Sequence, residues 1–521
     1  MNGIPSLHTA EPVVGARTIA GFVTMCVGMF MAILDVQIVA TSLPTIQKAL
    51  DIDPDQMSWV QTAYLIAEVV AIPLTGFLTG LLTMRWLFSG AVLVFAAASL
   101  GCAASNGFAE LIAWRVVQGF SGGMLIPAVF ATVFLVFPIR LQGLATTIAG
   151  VLAVLAPTVG PVAGGWITET YSWHWLFLVN VVPGAIAGLC GLALLDRDEP
   201  DGSAWRRFDL LSLACLATSL ATLEIALKEA PDRGWHSPVV VMLLGWTLLA
   251  GTVLVRRATR SSQPLVDITL LTERNFALGS ALSFVLGIGL YGSVYLMPVF
   301  LAYVRGHDAL AIGRIMLVTG IAQLLTAPVA VALERRIDGR LLTAFGFALF
   351  ALGLGLSARQ TIATDFDGMF WPQVLRGAAI MFCLLPPTRL ALGLVPPERV
   401  PDASALFNLM RNLGGAIGLA LIDTVIYGLA AEHGASILAR LKAGDAATAE
   451  AVGVPPALLA AGPAAMNDPA TRSMLNTLVE RAAFVETTNL AWALIATLSL
   501  ASLALLPFIH VATGPGGRAK G

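Results

Sequence analysis

Apolar residues run along this chain in blocks of about twenty, cut by short polar stretches. Crossing a bilayer core takes roughly 20 apolar residues per helix. Blocks of that kind fall at 19–44, 57–82, 86–105, 110–136, 142–167, 173–195, 208–227, 237–255, 276–301, 309–333, 341–358, 369–394, 403–428 and 488–510. The hydropathy criterion thus predicts fourteen spans and an all-α polytopic membrane protein. The runs at 208–227 and 237–255 are the least clear, because Glu224 and the patch from Lys228 to Arg233 interrupt them. The run at 19–44 exceeds the hydrophobic region of a signal peptide and is expected to remain as the first helix.

Composition agrees with that pattern and excludes several functions. The 521 residues are 57% hydrophobic and 12% charged, with a mean hydropathy of +0.82, whereas soluble domains carry about 25% charged residues. A net charge of −2 offers nucleic acid no basic surface. Cys26, Cys102, Cys190, Cys215 and Cys383 are scattered through apolar runs, as small core residues are. His8, His174, His236, His307, His433 and His510 are dispersed, and no G-x-x-x-x-G-K-[ST] string occurs. The expectation is therefore no metal site, no cofactor, no enzyme and no ATP-driven step. A membrane sensor or enzyme is the competing class, and these gaps weigh against it.

Loop charge orients the array. Arg85, Arg140, Arg206, Arg207, Arg256, Arg257, Arg260, Arg274, Arg335, Arg336, Arg340 and Arg399 occupy alternate connections, on the side of Arg17, Arg518 and Lys520. The opposite connections carry only Lys48, Lys228, Arg233, Arg305 and Arg359, mixed with acids. Positive residues stay inside, so both termini are expected in the cytoplasm and the long segment 430–489 outside. Apolar residues over 471–485 recur at roughly helical spacing, which predicts a structured hairpin there.

Charges inside apolar runs are expensive and mark candidate sites. Asp35 lies in the first run, Glu68 in the second, Arg115 in the fourth, Arg376 in the twelfth, and Arg411 and Asp423 in the thirteenth. A carboxylate away from water must be paired or protonated, as proton-coupled transport requires, and an arginine keeps its charge. Glu68 is open between site and structure, and Arg411 between pairing with Asp423 and lining a cavity. Gln37, Tyr64, Gln118 and Asn408 complete the candidate cavity set. Glu224 and Arg389, close to span ends, are expected at the interface, as are most of Trp59, Trp86, Trp114, Trp166, Trp173, Trp175, Trp371 and Trp492. In the fifth run, Gly160, Pro161, Gly164 and Gly165 form A-x-x-x-G-P-x-x-G-G from Ala156. Glycines four apart share a helix face and admit a neighbouring backbone, and proline removes a helical hydrogen bond.

Taken together these strings resemble a known family. Leu34-Asp35 through Leu43-Pro44, Arg115-x-x-Gln118-Gly119, the Gly160-Pro161-x-x-Gly164-Gly165 string, Trp175-x-Phe177-x-x-Asn180-x-x-Pro183-Gly184, Trp371-Pro372-Gln373 and Pro396-Pro397-Glu398-Arg399 are similar to those of the 14-helix drug:proton antiporters of the EmrB/QacA type in the major facilitator superfamily. The outward segment before the last helix favours the EmrB-like branch. The resemblance implies a cytoplasmic tail at 1–18, a six-helix bundle at 19–195, a linker with two extra helices at 196–275, a second bundle at 276–510, and a tail at 511–521. It implies proton-coupled export of amphipathic or hydrophobic molecules across a bacterial inner membrane by alternating access. The proton would be handled by Asp35 and Arg115, and Gly160, Pro161, Gly164 and Gly165 would be the antiporter motif. Protons, small-molecule substrates and lipids would be its partners, with a periplasmic adaptor protein and an outer-membrane channel. An exporter dedicated to one metabolite, siderophore or lipid fits the same residues. One departure stands out: in the connection between the second and third spans, Gly80 occupies the place of the family's aspartate.

Overall fold

A computed structural model of the chain describes residues 15–52, 59–197, 209–261, 264–334, 336–455 and 469–509. Arg206, Arg207, Arg335, Arg518 and Lys520, used above for orientation, lie outside the described residues, as do 1–14, 456–468 and the tail from 510. Every regular element among the described residues is helical. In order they are α1 (Ala16–Leu50), α2 (Trp59–Ala71), α3 (Leu74–Ala104), α4 (Phe108–Gly122), α5 (Leu125–Val136), α6 (Ile139–Thr170), α7 (Trp175–Leu178), α8 (Val181–Leu194), α9 (Leu210–Arg233), α10 (Pro238–Arg260), α11 (Arg274–Tyr303), α12 (Ala309–Glu334), α13 (Gly339–Ser357), α14 (Phe366–Leu392), α15 (Val400–Lys442), α16 (Ala446–Val452) and α17 (Pro469–Ala501).

Among the described residues, thirteen helices are long and apolar enough to cross a membrane, one fewer than the runs counted in the sequence. The difference sits at the second and third runs. The short α2 passes through Ile72 and Pro73 into α3, which is itself interrupted where Thr83 leaves helical geometry at φ 68° and ψ 158°. The stretch 59–82 and the stretch 84–104 are therefore separate rods joined at Thr83, and the fourteenth run is the one that α2 begins.

Apolar packing groups the helices. One buried cluster draws on residues from Leu282 to Ile509, and another on residues from Phe22 to Ala187. A third joins them, combining Val69 and Leu74 with Cys215, Leu216 and Leu254 of α9 and α10 and with Val400 and Phe407 of α15. Residues of α9 and α10 thus pack into the seam between the larger groups. Thr222 and Thr247 are hydrogen-bonded at 2.8 Å between them, and Trp235 Nε1 donates to Thr424 Oγ1 at 3.0 Å. Asp209 caps α9 and is bridged at 2.7 Å by Arg257 of α10. The Ser212 hydroxyl, followed by Arg257, holds the Asp209 carboxyl down to about 2, so the clamp is ionised at all physiological pH values.

The described parts of the segment 430–489 are chiefly continuations of two membrane helices. α15 runs 43 residues without a break, and α17 returns beside it. Ile437, Leu441, Ala449, Val452, Leu475 and Val479 form a small apolar core there, and His433 and Glu486 are linked at 2.7 Å. At the opposite end Asp402, in the first turn of α15, faces Gly76 so closely that a Cβ on Gly76 would lie 1.8 Å from Asp402 Oδ1. An acid in a first helical turn is favoured by the amide dipoles. Two tryptophans depart from the expected interfacial positions: Trp173 is buried in an apolar cluster with Phe177, and Trp492 is buried against Arg376 of α14.

The Thr83 conformation belongs to a region that glycine enters at no steric cost, and non-glycine residues held in such regions store about 1–3 kcal/mol. Its hydroxyl is also buried without a partner. Thr83→Gly should raise the melting temperature of the detergent-purified protein, with a net gain of about 1 kcal/mol after glycine's extra chain entropy. A lower melting temperature would count against strain at this turn.

Candidate functional site

The first-helix acid and the fourth-run arginine, 80 positions apart, meet inside the protein. Arg115 Nη1 donates to Asp35 Oδ2 at 2.6 Å, and both side chains are 0% exposed. Asp35 Oδ1 accepts from Gln118 Nε2 at 3.0 Å and from Asn180 Nδ2 at 2.7 Å. Gln118 is one turn from Arg115 and also accepts from its Nη1 at 2.7 Å, while its amide donates to Ser99 Oγ at 2.8 Å. Arg115 Nε donates to the Val60 carbonyl at 3.0 Å, and the guanidinium lies 4.4 Å from the Tyr64 ring centroid. Both Asp35 oxygens accept and neither donates, the pattern of an ionised carboxylate. Five helices contribute: α1, α2, α3, α4, and α8 with Asn180 at its start. Gly119 makes the convergence possible. A Cβ there would stand 2.2 Å from the Tyr64 carbonyl oxygen, so α4 lies directly on α2.

Beside this cluster is a cavity of about 160 Å³, lined from both sides of the seam. Gln37, Glu68, Asn408 and Arg411 line it, together with Tyr291 and Glu224. Glu68 sits one turn beyond Tyr64 on α2, so the face that stacks on Arg115 continues into the cavity wall.

The other sequence candidates fall elsewhere. Gln118 and Tyr64 are fully buried in the Asp35 cluster rather than in the cavity. Arg376 belongs to a separate small void with Met297 and Thr319, its guanidinium 4.8 Å from the Trp492 ring. Asp423 accepts from Tyr295 at 2.7 Å. It is twelve residues from Arg411 on one helix, an axial separation of about 18 Å, so the two cannot pair. Arg411 lines the cavity and donates from Nε to Ser283 Oγ at 3.3 Å. Glu224 is corrected from the interface to the cavity: α9 extends to Arg233, which puts Glu224 well inside the rod. Asn180 and Ser99 were not singled out from sequence as site residues, because uncharged amides and hydroxyls carry no burial signal of their own.

The α6 string packs where its glycines permit. A Cβ on Gly160 would come within 2.3 Å of Gln37 Cβ, so α6 lies against α1 about 3 Å along the axis from Asp35, and Ser42 and Thr168 hydroxyls bond across the same seam at 2.7 Å. Pro161, Gly164 and Gly165 are buried, and α6 stays helical through both Pro157 and Pro161. Among the described residues no group of acids, histidines and cysteines is arranged to hold a metal.

A cavity between two helix groups, flanked by a sealed ion pair, is the architecture of a membrane carrier. The family model of the Major Facilitator Superfamily matches residues 25–419, and the chain belongs to that superfamily. It is 37% identical over 413 residues to the colistin resistance protein EmrB of Acinetobacter baumannii, covering 79% of this chain and 81% of that protein. To the multidrug export protein EmrB of Escherichia coli K12 it is 30% identical over 421 residues, covering 80% and 82%. The fold is shared with the human organic anion transporter MFSD10, at a TM-score of 0.58 and 15% identity over 94% of this chain and 99% of that one. The resemblance to the EmrB-like branch seen in the sequence motifs is thereby upheld.

Gly160→Leu should leave the protein folded in detergent yet reduce transport to background, since a large side chain would hold α1 and α6 apart in whichever state needs them closest. Transport at the wild-type rate would leave the string as ordinary packing.

Proposed function

We propose that this carrier exports amphipathic or hydrophobic small molecules in exchange for protons, by alternating access. The observation that carries the reading is the Asp35–Arg115 cluster, sealed from solvent and one helical turn from a cavity lined by both helix groups. The names of the relatives, multidrug export and colistin resistance, support a drug as the cargo. The chemistry follows from the hydrogen bonds. A proton reaching Asp35 removes the charge that holds Arg115 Nη1, Gln118 and Asn180, and leaves Arg115 as an uncompensated cation in an apolar wall. Breaking a buried pair in this way costs about 3–5 kcal/mol, so the rearrangement that relieves it is strongly driven. Tyr64, stacked on Arg115, and Glu68, one turn further, pass that rearrangement to the cavity. Asp35→Asn keeps the shape of the protonated acid; it should fold and lose pH-gradient-driven efflux of a fluorescent drug from proteoliposomes. Arg115→Lys keeps the charge without the fork that reaches Val60 and Gln118 together, and should be strongly impaired. Gradient-driven efflux by Asp35→Asn at the wild-type rate would move coupling to another acid.

The protein resides in the inner membrane on this reading, with both termini cytoplasmic and the α15–α17 hairpin in the periplasm, where it offers a docking point for an adaptor that leads to an outer-membrane channel. The charge asymmetry of the connections and the packed hairpin core support this arrangement. Deleting Ala446–Ala465 should preserve efflux in proteoliposomes and abolish resistance in cells, with reporter fusions at Gly444 and Lys520 on opposite sides. Resistance that survives the deletion would sink the docking, and same-side reporters the orientation.

A further inference from the structure

Two carboxylates and one incompletely bonded guanidinium share the central cavity, and one of the carboxylates comes from α9. Glu68 enters from α2 and Glu224 from α9. Among the described residues neither is bound in a salt bridge, and the cation that acts on Glu68 at longer range, Arg115, is already paired with Asp35. Lys228, one turn beyond Glu224, has its ammonium 4.5 Å from the Trp59 ring centroid. Across the cavity Arg411 is 8% exposed, and its Nη2 has no partner. That guanidinium is held by Ser283 and by the Phe130 and Phe407 rings at 5.6 and 5.5 Å. The remaining lining combines the neutral polar groups of Gln37, Tyr291, Asn408 and Asn412 with apolar side chains such as Leu286, Leu290, Val294 and Ile380. Buried charges are expected to be paired, and in this one space the pairing of acids and guanidinium is left incomplete. The α9 helix is fixed in place for this role: its cap is clamped by Arg257 and its far end is tied to α15 through Trp235.

On the export reading above, we infer that the Glu68–Glu224 pair with Arg411 forms the substrate site, and that it selects monocationic amphipaths carrying an uncharged acceptor oxygen at the far end. The ammonium sits between the two carboxylates, the apolar body lies along Leu290 and Ile380, and the acceptor takes the free Arg411 N–H. Glu224 makes the inserted pair of helices part of recognition rather than padding in the seam. A site of about 160 Å³ holds less than the usual 300 Å³ or more of a drug pocket, so the two helix groups must part somewhat to admit such a molecule.

Dansylcadaverine supplies an ammonium, an aromatic body and sulfonyl oxygens, and its fluorescence reports binding to the purified full-length carrier at fixed pH. The expected result is saturable binding, weaker by about tenfold or more for the uncharged N-acetyl derivative. Glu224→Gln and Glu68→Gln should each erase most of that difference, Glu224→Asp should restore part of it, and Arg411→Met should weaken both probes alike. Equal affinity for the two probes, or an unchanged difference in Glu224→Gln, overturns the site. Should Glu224→Gln fail to fold, the two-probe comparison on the wild-type protein decides alone. Gradient-driven efflux of dansylcadaverine from proteoliposomes is read separately. Efflux without charge discrimination sinks this site and spares the exporter reading, whereas discriminating binding without efflux supports the site and sinks that reading.

Discussion

A carboxylate in a bilayer-spanning helix has to be satisfied entirely by protein, and much of this molecule's N-terminal architecture follows from that requirement. Asp35 takes one donor from Arg115, one from Gln118 and one from Asn180. Arg115 in turn needs the Val60 carbonyl and the Tyr64 ring. Bringing those groups within hydrogen-bond reach means that α2 and α4 must touch backbone to backbone, which is the reason position 119 has no side chain. Removing Arg115 would leave the Asp35 charge uncompensated in low dielectric.

The inserted helices acquire meaning from the same constraint applied at the cavity. Their outer faces are apolar and exposed, as on Trp246, Leu248 and Leu249 of α10, which is what lipid requires. Only α9 reaches inward, and it does so wedged between α2 and α15. Its uncharged polar ties are the Thr222–Thr247 bond to α10 and the Trp235–Thr424 bond to α15, while the one ionic tie, Asp209 to Arg257, sits at the end of the helix.

Much of this was legible in the sequence, and for identifiable reasons. The cost of charge in lipid singled out Asp35 and Arg115 before any geometry was known, and blocks of about twenty apolar residues gave the helices. Their mutual contact was not legible, since 80 positions of chain separate them. Asn180 and Ser99 escaped notice because uncharged polar residues are tolerated anywhere in a helix bundle. Glu224 was misassigned because the apolar run seemed to end near it, whereas the helix continues through Lys228 to Arg233 with those polar residues on its sides. Tyr64 and Gln118 were expected in the cavity and proved to be the inner wall of the ion pair, a distinction that depends on helix rotation rather than on spacing. The break at Thr83 left no compositional mark, threonine being unremarkable in an apolar stretch.

The uninterrupted helix that supplies Arg411 and Asn408 has one more implication. At 1.5 Å per residue, its 43 residues measure about 65 Å, twice the roughly 30 Å of a hydrocarbon core. With no kink to absorb motion, α15 is a lever whose pivot lies in the membrane and whose free arm ends at the hairpin. A tilt of about 10° at the cavity swings a point some 18 residues beyond the bilayer by roughly 5 Å. On the alternating-access reading proposed above, a small tilt at the cavity would therefore reappear, magnified, at the hairpin.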